Sequence, residues 1–195
     1  MNFKKAYARS VNSSNLQDSE RHYSCEPLAA SGWASRDISG LGAILLRILW
    51  ADGNSKMLFE SGCRNFSEAL RIWLPMVRNK GEHRKWHKGG STPRRDAASA
   101  EALYVRVGQS ALAYFLDDRC GVCEGAGVDS DRRTCIHCKG TGKAELLMKE
   151  PDKGIALDLV SDLQEIVDSH STRAVYAMRE QDLSDVAANA RQIRV

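Results

Sequence analysis

The chain has 195 residues, of which 43% are hydrophobic and 27% charged, with a net charge of +3 and six cysteines. That length suits one domain, or one core with a small satellite, and the composition excludes collagen-like and low-complexity chains. The longest apolar run, Leu41 to Trp50, is broken by Arg47 and falls well short of the roughly 20 residues that span a bilayer, so no transmembrane helix is expected.

The polar opening, Met1-Asn2-Phe3-Lys4-Lys5-Ala6, has no apolar core of the kind a secretory signal needs, which points to a cytoplasmic protein. In a reducing compartment the main use of clustered cysteines is metal binding. Residues 1–34 are rich in Ser and Asn without a sustained period and read as a flexible N-terminal arm; Cys25 lies there with no cysteine near it. An N-terminal helical region is expected over 35–118. Ser35 is placed to cap its first helix, with Ile38, Leu41, Leu45, Ile48 and Leu49 at helical spacing and Asp52-Gly53 as its end. Asn65-Phe66-Ser67-Glu68 resembles a capping box and opens a second helix carrying Ala69, Leu70, Ile72, Trp73, Met76 and Val77. Pro75 is expected to kink or end that helix early, because proline removes a backbone donor and crowds the preceding turn.

A basic loop is expected over 78–95, with Gly89-Gly90 and Pro93 marking it as irregular. It holds seven bases against Glu82, a local charge of +6. Asp96 then reads as the cap of a third helix through Leu103, Tyr104, Val107, Ala111, Leu112, Tyr114 and Phe115, which delivers the chain to Cys120.

Residues 119–143 carry the sharpest pattern. Cys120-Gly121-Val122-Cys123-Glu124-Gly125-Ala126-Gly127 is repeated 15 residues later as Cys135-Ile136-His137-Cys138-Lys139-Gly140-Thr141-Gly142. Each C-x-x-C sets two thiolates on one side of a tight turn, and the glycines after it tolerate positive φ. Two such turns face to face surround one tetrahedral Zn2+, with bonds of about 2.3 Å. Four thiolates leave no open coordination position, so Cys120, Cys123, Cys135 and Cys138 are expected to hold one structural zinc whose binding energy, on the order of 10 kcal/mol, serves folding. A thioredoxin-like redox pair or a disulfide also uses C-x-x-C, although the duplication with matching glycines points to metal. His137 is chemically able to replace a thiolate and reads instead as an exposed knuckle residue; Cys63, like Cys25, lacks partner spacing.

A C-terminal helical region is expected over 144–195. Pro151-Asp152 opens a fourth helix on Ile155, Leu157, Leu159, Val160, Leu163, Ile166 and Val167, and a fifth begins near Ser171-Thr172 with Ala174, Val175, Ala177, Met178, Leu183, Val186 and Ala187. No strand-period alternation stands out. The fold class expected is therefore mainly α, a helical protein with an inserted four-cysteine zinc-binding finger. Residues 149–185 hold nine acids and four bases, a charge of −5 that offsets the basic middle. Such asymmetry suggests a nucleic-acid contact on one face and leaves the other face free, or simply solvated.

The C-x-x-C-x-G-x-G knuckles resemble the zinc repeats of DnaJ-type chaperones, but two copies in place of four, and no His-Pro-Asp, separate this chain from those. Helices around Leu41 and Leu70, the approach Ala111-Leu112-Ala113-Tyr114-Phe115 to Cys120, one pair of knuckles and a helical C-terminus together resemble the phage lambda Q family of late-gene antiterminators, over about residues 35–190. The resemblance implies a non-enzymatic protein of the bacterial host cytoplasm. Such a protein would bind double-stranded DNA at a late promoter, engage promoter-proximal RNA polymerase holoenzyme with its sigma factor, and carry it through terminators.

Candidate nucleic-acid residues are Arg84, Lys85, Trp86 and Lys88, where bases surround an aromatic suited to stacking, and Arg94 and Arg95, which extend them. Arg132, Arg133 and Lys139 flank the zinc. In a helix-turn-helix reading, Arg173 stands just inside the helix that begins at Ser171-Thr172. An enzyme is disfavoured: no nucleophile–base pair or phosphate loop stands out, and His22, His83, His87 and His170 are scattered. The alternative is a zinc-stabilised adaptor that binds protein and not DNA.

Overall fold

A computed structural model describes Tyr7, Ala30, Ser31, Ala34 and residues 40–50, 64–87 and 93–192, with the backbone alone for 50, 64, 65 and 180–192. Four helices organise them: α1 (Leu41–Trp50), α2 (Arg64–Arg84), α3 (Pro93–Leu116) and α4 (Asp152–Gln192). The described residues are thus mainly helical, and the four-cysteine segment lies between α3 and α4 as expected. No described helix is long and apolar enough to cross a membrane.

The helix boundaries differ from the sequence expectations in four places, each with a physical reason. First, α1 begins at Leu41, directly after Gly40 at φ 76°, a conformation that interrupts a right-handed helix; Ser35 and Ile38 lie outside the described residues.

Second, α2 starts at Arg64, so Asn65-Phe66-Ser67-Glu68 sits inside the helix, and α2 passes through Pro75. Pro75 is exposed, and the Arg71 carbonyl that loses its donor belongs to an exposed residue, while the buried Trp73 and Val77 anchor the helix on either side.

Third, most of the expected basic loop is helix: Arg78, Lys80 and Arg84 end α2, and Arg94 and Arg95 begin α3. The end of α2 is a Schellman closure. The Lys85 N–H donates to Glu82 O (3.2 Å) and the Trp86 N–H to Gly81 O (3.1 Å), with Lys85 at φ 53° in the place glycine usually takes. Pro93 occupies the first position of α3, where its missing donor has no intrahelical role, and Asp96 falls within the first turn and not at the cap. Lys88, Gly89 and Gly90 lie outside the described residues.

Fourth, the two expected C-terminal helices are one helix of 41 residues. The Ser171 and Thr172 hydroxyls do not cap a new helix. They donate back to Val167 O and Asp168 O, both at 2.8 Å, and the helix runs on.

The chain divides into two compact units, residues 1–69 with 165–195, and residues 70–164. In the first, Leu41, Leu45, Leu46 and Ile48 of α1 and Val167, Ala174 and Met178 of α4 are buried. Tyr7, Ala30, Ser31 and Ala34, from the expected flexible arm, are helical and buried in it. Ser31 Oγ lies 2.9 Å from His170 Nε2 in the interior. Gly42 sits against the His170 ring, where a Cβ would come within 2.7 Å of the histidine Cβ.

The second unit packs α2 on α3 through Trp73, Val77, Tyr104, Val107, Ala111 and Leu112, and α4 contributes Ala156, Leu159 and Leu163. The buried Trp73 indole N–H donates to Gly108 O at 3.1 Å. Gly108 and Gly81 carry no side chain where Leu74 and Val77, and Tyr104 and Trp86, respectively, fill the space.

Candidate metal centre

The second unit carries the cysteines at the C-terminal end of α3. Cys120, Cys123, Cys135 and Cys138 are all buried, and their Sγ atoms lie within 4.8 Å of one another. Cys123 and Cys138 Sγ are 3.6 Å apart. A tetrahedron with metal–sulfur bonds of about 2.3 Å has edges of about 3.8 Å, so the donor set fits one metal ion. The thiols come from both knuckles, which separates this arrangement from a redox pair confined to one C-x-x-C.

The 15-residue repeat becomes a two-fold arrangement of the backbone. The Cys120 N–H donates to Gly142 O (2.8 Å) and the Cys135 N–H to Gly127 O (2.9 Å), so each knuckle's first cysteine is tied to the other knuckle's last glycine. Within each knuckle the turn closes from Ala126 N to Cys123 O (2.8 Å) and from Thr141 N to Cys138 O (3.0 Å). Antiparallel bridges join Arg119 to Lys143 and Val128 to Thr134, again exchanged by the 15-residue offset. Glu124 and Lys139 are equivalent under it, both at φ 51°.

Gly127 (φ 75°) and Gly142 (φ 72°) meet two demands at once. Their amides donate to Cys123 Sγ and Cys138 Sγ, each at 3.3 Å, and their Cα atoms pass close to the opposite knuckle. A Cβ on Gly127 would fall 2.6 Å from Gly140 O, and one on Gly142 would strike Gly125 O. N–H donors aimed at sulfur favour the thiolate that a metal requires. The amides of Cys123 and Val122 hold the Cys120 thiol below its ordinary value. Burial pushes the Cys138 thiol up, but the Gly142 amide and the neighbouring thiols outweigh it and bring it to about 7. Burial pushes Cys123 up to about 11 against the amides of Gly127 and Gly125. A thiol held up by burial in this way gives up its proton when it ligates a metal. His137 is exposed and stands outside the cluster; Cys25 and Cys63 lie outside the described residues.

The candidate nucleic-acid residues are spread over several elements. Lys85 and Trp86 directly follow α2, Arg94 and Arg95 lie in the first turn of α3, Arg132, Arg133 and Lys139 lie on the finger that follows α3, and Arg173 belongs to the other unit. Arg173 is well inside α4, not at a helix N-terminus, so the helix-turn-helix placement is corrected. Trp86 is half-buried, with its ring edge-on to Tyr104 at a centroid distance of 6.4 Å, so packing within the protein engages the aromatic expected to stack on bases.

The charge asymmetry is also partly internal. Lys80 Nζ pairs with Asp158 (2.7 Å) and with Asp162, Arg84 pairs with Asp158 (2.7 Å), and Arg106 pairs with Asp152 (2.6 Å). Arg78 pairs with Glu101 at 2.5 Å. The start of acidic α4 therefore neutralises bases of α2 and α3, where the sequence suggested separate faces. Sequence reasoning missed this pairing, and its trace was present: Lys80 and Arg84, like Asp158 and Asp162, are four residues apart and so share a helix face. Among the described residues Lys85, Arg94, Arg95, Arg132 and Arg133 make no ion pair, and the last two are exposed in the turn between the knuckles.

His170, read as one of several scattered histidines, bonds to Ser31. Both are buried, and burial followed by the Arg173 charge pulls the His170 pKa down to about 4, so the pair is a neutral core contact and not a nucleophile offered to solvent. In comparisons with known protein families, with curated proteins and with solved structures, nothing matches this chain.

Proposed function

We propose that the chain is a DNA-binding transcription antitermination factor that works by binding, without catalysis, on promoter-proximal RNA polymerase holoenzyme in the cytoplasm of a bacterial host. One Zn2+ held by Cys120, Cys123, Cys135 and Cys138 is its structural metal. The observation that carries this reading is the closed, buried tetrad, whose four sulfurs leave no position for water or substrate and so suit a metal that holds a recognition surface in shape. The step from zinc-held binding protein to transcription rests on the likeness of the knuckle pair and its flanking helices to the phage lambda Q family. The unpaired Lys85, Arg94, Arg95, Arg132 and Arg133 are the phosphate contacts this reading assigns.

A second reading, a zinc-stabilised adaptor that binds protein alone, is favoured by two observations. Carboxylates of α4 neutralise Lys80, Arg84 and Arg106, and the knuckles expose aliphatic side chains, Ile136 at 86% and Val122 at 61%. Binding to duplex DNA across a salt series separates the two. The antiterminator reading predicts log affinity falling steeply with log salt, by about 0.9 per phosphate neutralised, and longer transcripts past a terminator when the protein is added to polymerase holoenzyme on a cognate promoter. Absence of DNA binding at low salt supports the adaptor and overturns the first reading.

A further inference from the structure

A notch of about 400 Å³ opens in the second unit between α3 and the segment that leads into α4. Arg106 and Ser110 line it from α3, Leu147, Met148 and Lys149 from the connecting segment, and Asp152 from the start of α4. That volume lies in the range of small-ligand pockets, about 300–1,000 Å³. A local turn sets its apolar side. The Met148 N–H donates to Leu146 O at 2.9 Å, closing a three-residue turn with Leu146 buried and Leu147 at the apex. Leu147 is 93% exposed, the highest value among the large apolar side chains described.

The charged side of the notch holds two bases and one acid. Arg106 spends Nε (3.1 Å) and Nη2 (2.6 Å) on one oxygen of Asp152, so those two charges offset each other. Lys149 is exposed and Ser110 half-buried; among the described residues the lysine makes no ion pair and the serine hydroxyl no hydrogen bond. An ammonium and a hydroxyl donor are thus left in one wall with an uncovered leucine and a thioether. A carboxylate accepts from both donors through its two oxygens, and an aliphatic body attached to it covers the leucine. The Asp152 carboxylate repels a phosphate, with its greater charge, more strongly than a carboxylate. We propose that this notch binds a carboxylate carried on a short aliphatic body, Lys149 and Ser110 taking the carboxylate and Leu147 and Met148 the aliphatic part. Small carboxylic acids and the C-terminal residue of a peptide share that chemistry. The proposal goes beyond both readings above and depends on neither.

The test uses the zinc-loaded full chain with its leucine and methionine methyls labelled for NMR. The probe is N-acetyl-L-leucine. It should move the Leu147 and Met148 methyl signals with low-millimolar affinity, the ordinary range for a probe of about a dozen non-hydrogen atoms. N-acetyl-leucinamide, which lacks the charge, and N-acetylglycine, which lacks the side chain, should each bind about fivefold more weakly or worse. Lys149→Met and Leu147→Ser should each weaken the probe by a similar factor of about five, and Lys149→Arg should keep most of the affinity. Both side chains are exposed, so melting of these variants should match the parent. A peptide ending in leucine that binds more tightly than N-acetyl-L-leucine, and loses the gain on amidation, assigns the site to peptide C-termini; equal affinity assigns it to small carboxylates. Unmoved Leu147 and Met148 signals overturn the proposal. So do inorganic phosphate binding as tightly as N-acetyl-L-leucine and unchanged affinity in Lys149→Met.

Discussion

A graded alanine series through the knuckle glycines tests the cross-strapped backbone of the metal centre. At Gly121 nothing lies within 4 Å of a new Cβ, so Gly121→Ala should leave stability and metal affinity unchanged. Gly125 is at φ 92°, and its Cβ would meet only the Arg119 side chain, at 3.4 Å; the cost is the conformational strain of a left-handed alanine, about 1 kcal/mol.

Gly127 adds a collision to that strain. Its Cβ would stand 2.6 Å from Gly140 O and 3.2 Å from Gly140 C, and both atoms belong to backbone that cannot rotate away. Relief requires moving the Gly127 amide off Cys123 Sγ or breaking the Cys135 N–H to Gly127 O bond. One lost hydrogen bond at about 1 kcal/mol, with the φ strain and the residual clash, puts Gly127→Ala at about 3 kcal/mol. At 1.4 kcal/mol per tenfold, that is on the order of a hundredfold in zinc affinity. Competition with a chromophoric chelator reads the affinity, and thermal melting of the zinc-loaded chain reads the stability. An order of loss other than Gly121, Gly125, Gly127, or equal values for all three, refutes the reasoning.

Three further outcomes follow from the helices and the buried histidine. Lys85→Gly should stabilise the chain by about 0.5–1 kcal/mol in chemical denaturation, since it relieves a left-handed lysine at the Schellman closure; destabilisation would contradict the cap. Trp73→Phe should cost about 2–3 kcal/mol from the cavity and the unpaired Gly108 carbonyl, and a loss below about 1 kcal/mol in the same experiment would place the indole outside the core. His170 has a folded pKa of about 4 against about 6.5 unfolded, so the unfolded chain takes up a proton first. Stability should hold above pH 6.5 and fall as pH drops from 6.5 to 4, by on the order of 2 kcal/mol after solvent screening. Urea melts through that range should show the slope in the parent and not in His170→Gln; an identical slope in both would assign it to other groups.

Sequence legibility followed how local each determinant is. A tetrahedral thiolate site needs two cysteines on each tight turn with glycines just behind them, so Cys120, Cys123, Cys135 and Cys138 and the glycines at 125, 127, 140 and 142 could be read within eight-residue windows. The crossed bonds from Cys120 to Gly142 and from Cys135 to Gly127 could not, although the 15-residue offset that generates them was in view. Apolar spacing found the four described helices but not their ends. Pro75 and Ser171 carry helix-breaking chemistry that packing and a hydroxyl back-bond override. The continuity of α4 was nonetheless written in its buried positions, Ala156, Leu159, Leu163, Val167, His170, Ala174 and Met178, which keep helical spacing once a buried histidine is admitted to the stripe. Ser31 is 139 residues from His170, and the pairing of Lys80 and Arg84 with Asp158 and Asp162 crosses from α2 to α4; both depend on tertiary placement that no window contains.

The most direct test of the account is cobalt substitution of the purified chain. Four thiolates in a closed tetrahedron predict one equivalent of Co2+ bound with the intense visible bands of a tetrahedral cobalt–thiolate centre, displaced by one equivalent of Zn2+, and lost together with cooperative melting of the second unit in Cys120→Ser and Cys138→Ser. Weak octahedral bands, a stoichiometry other than one, or serine variants that melt like the parent would contradict it.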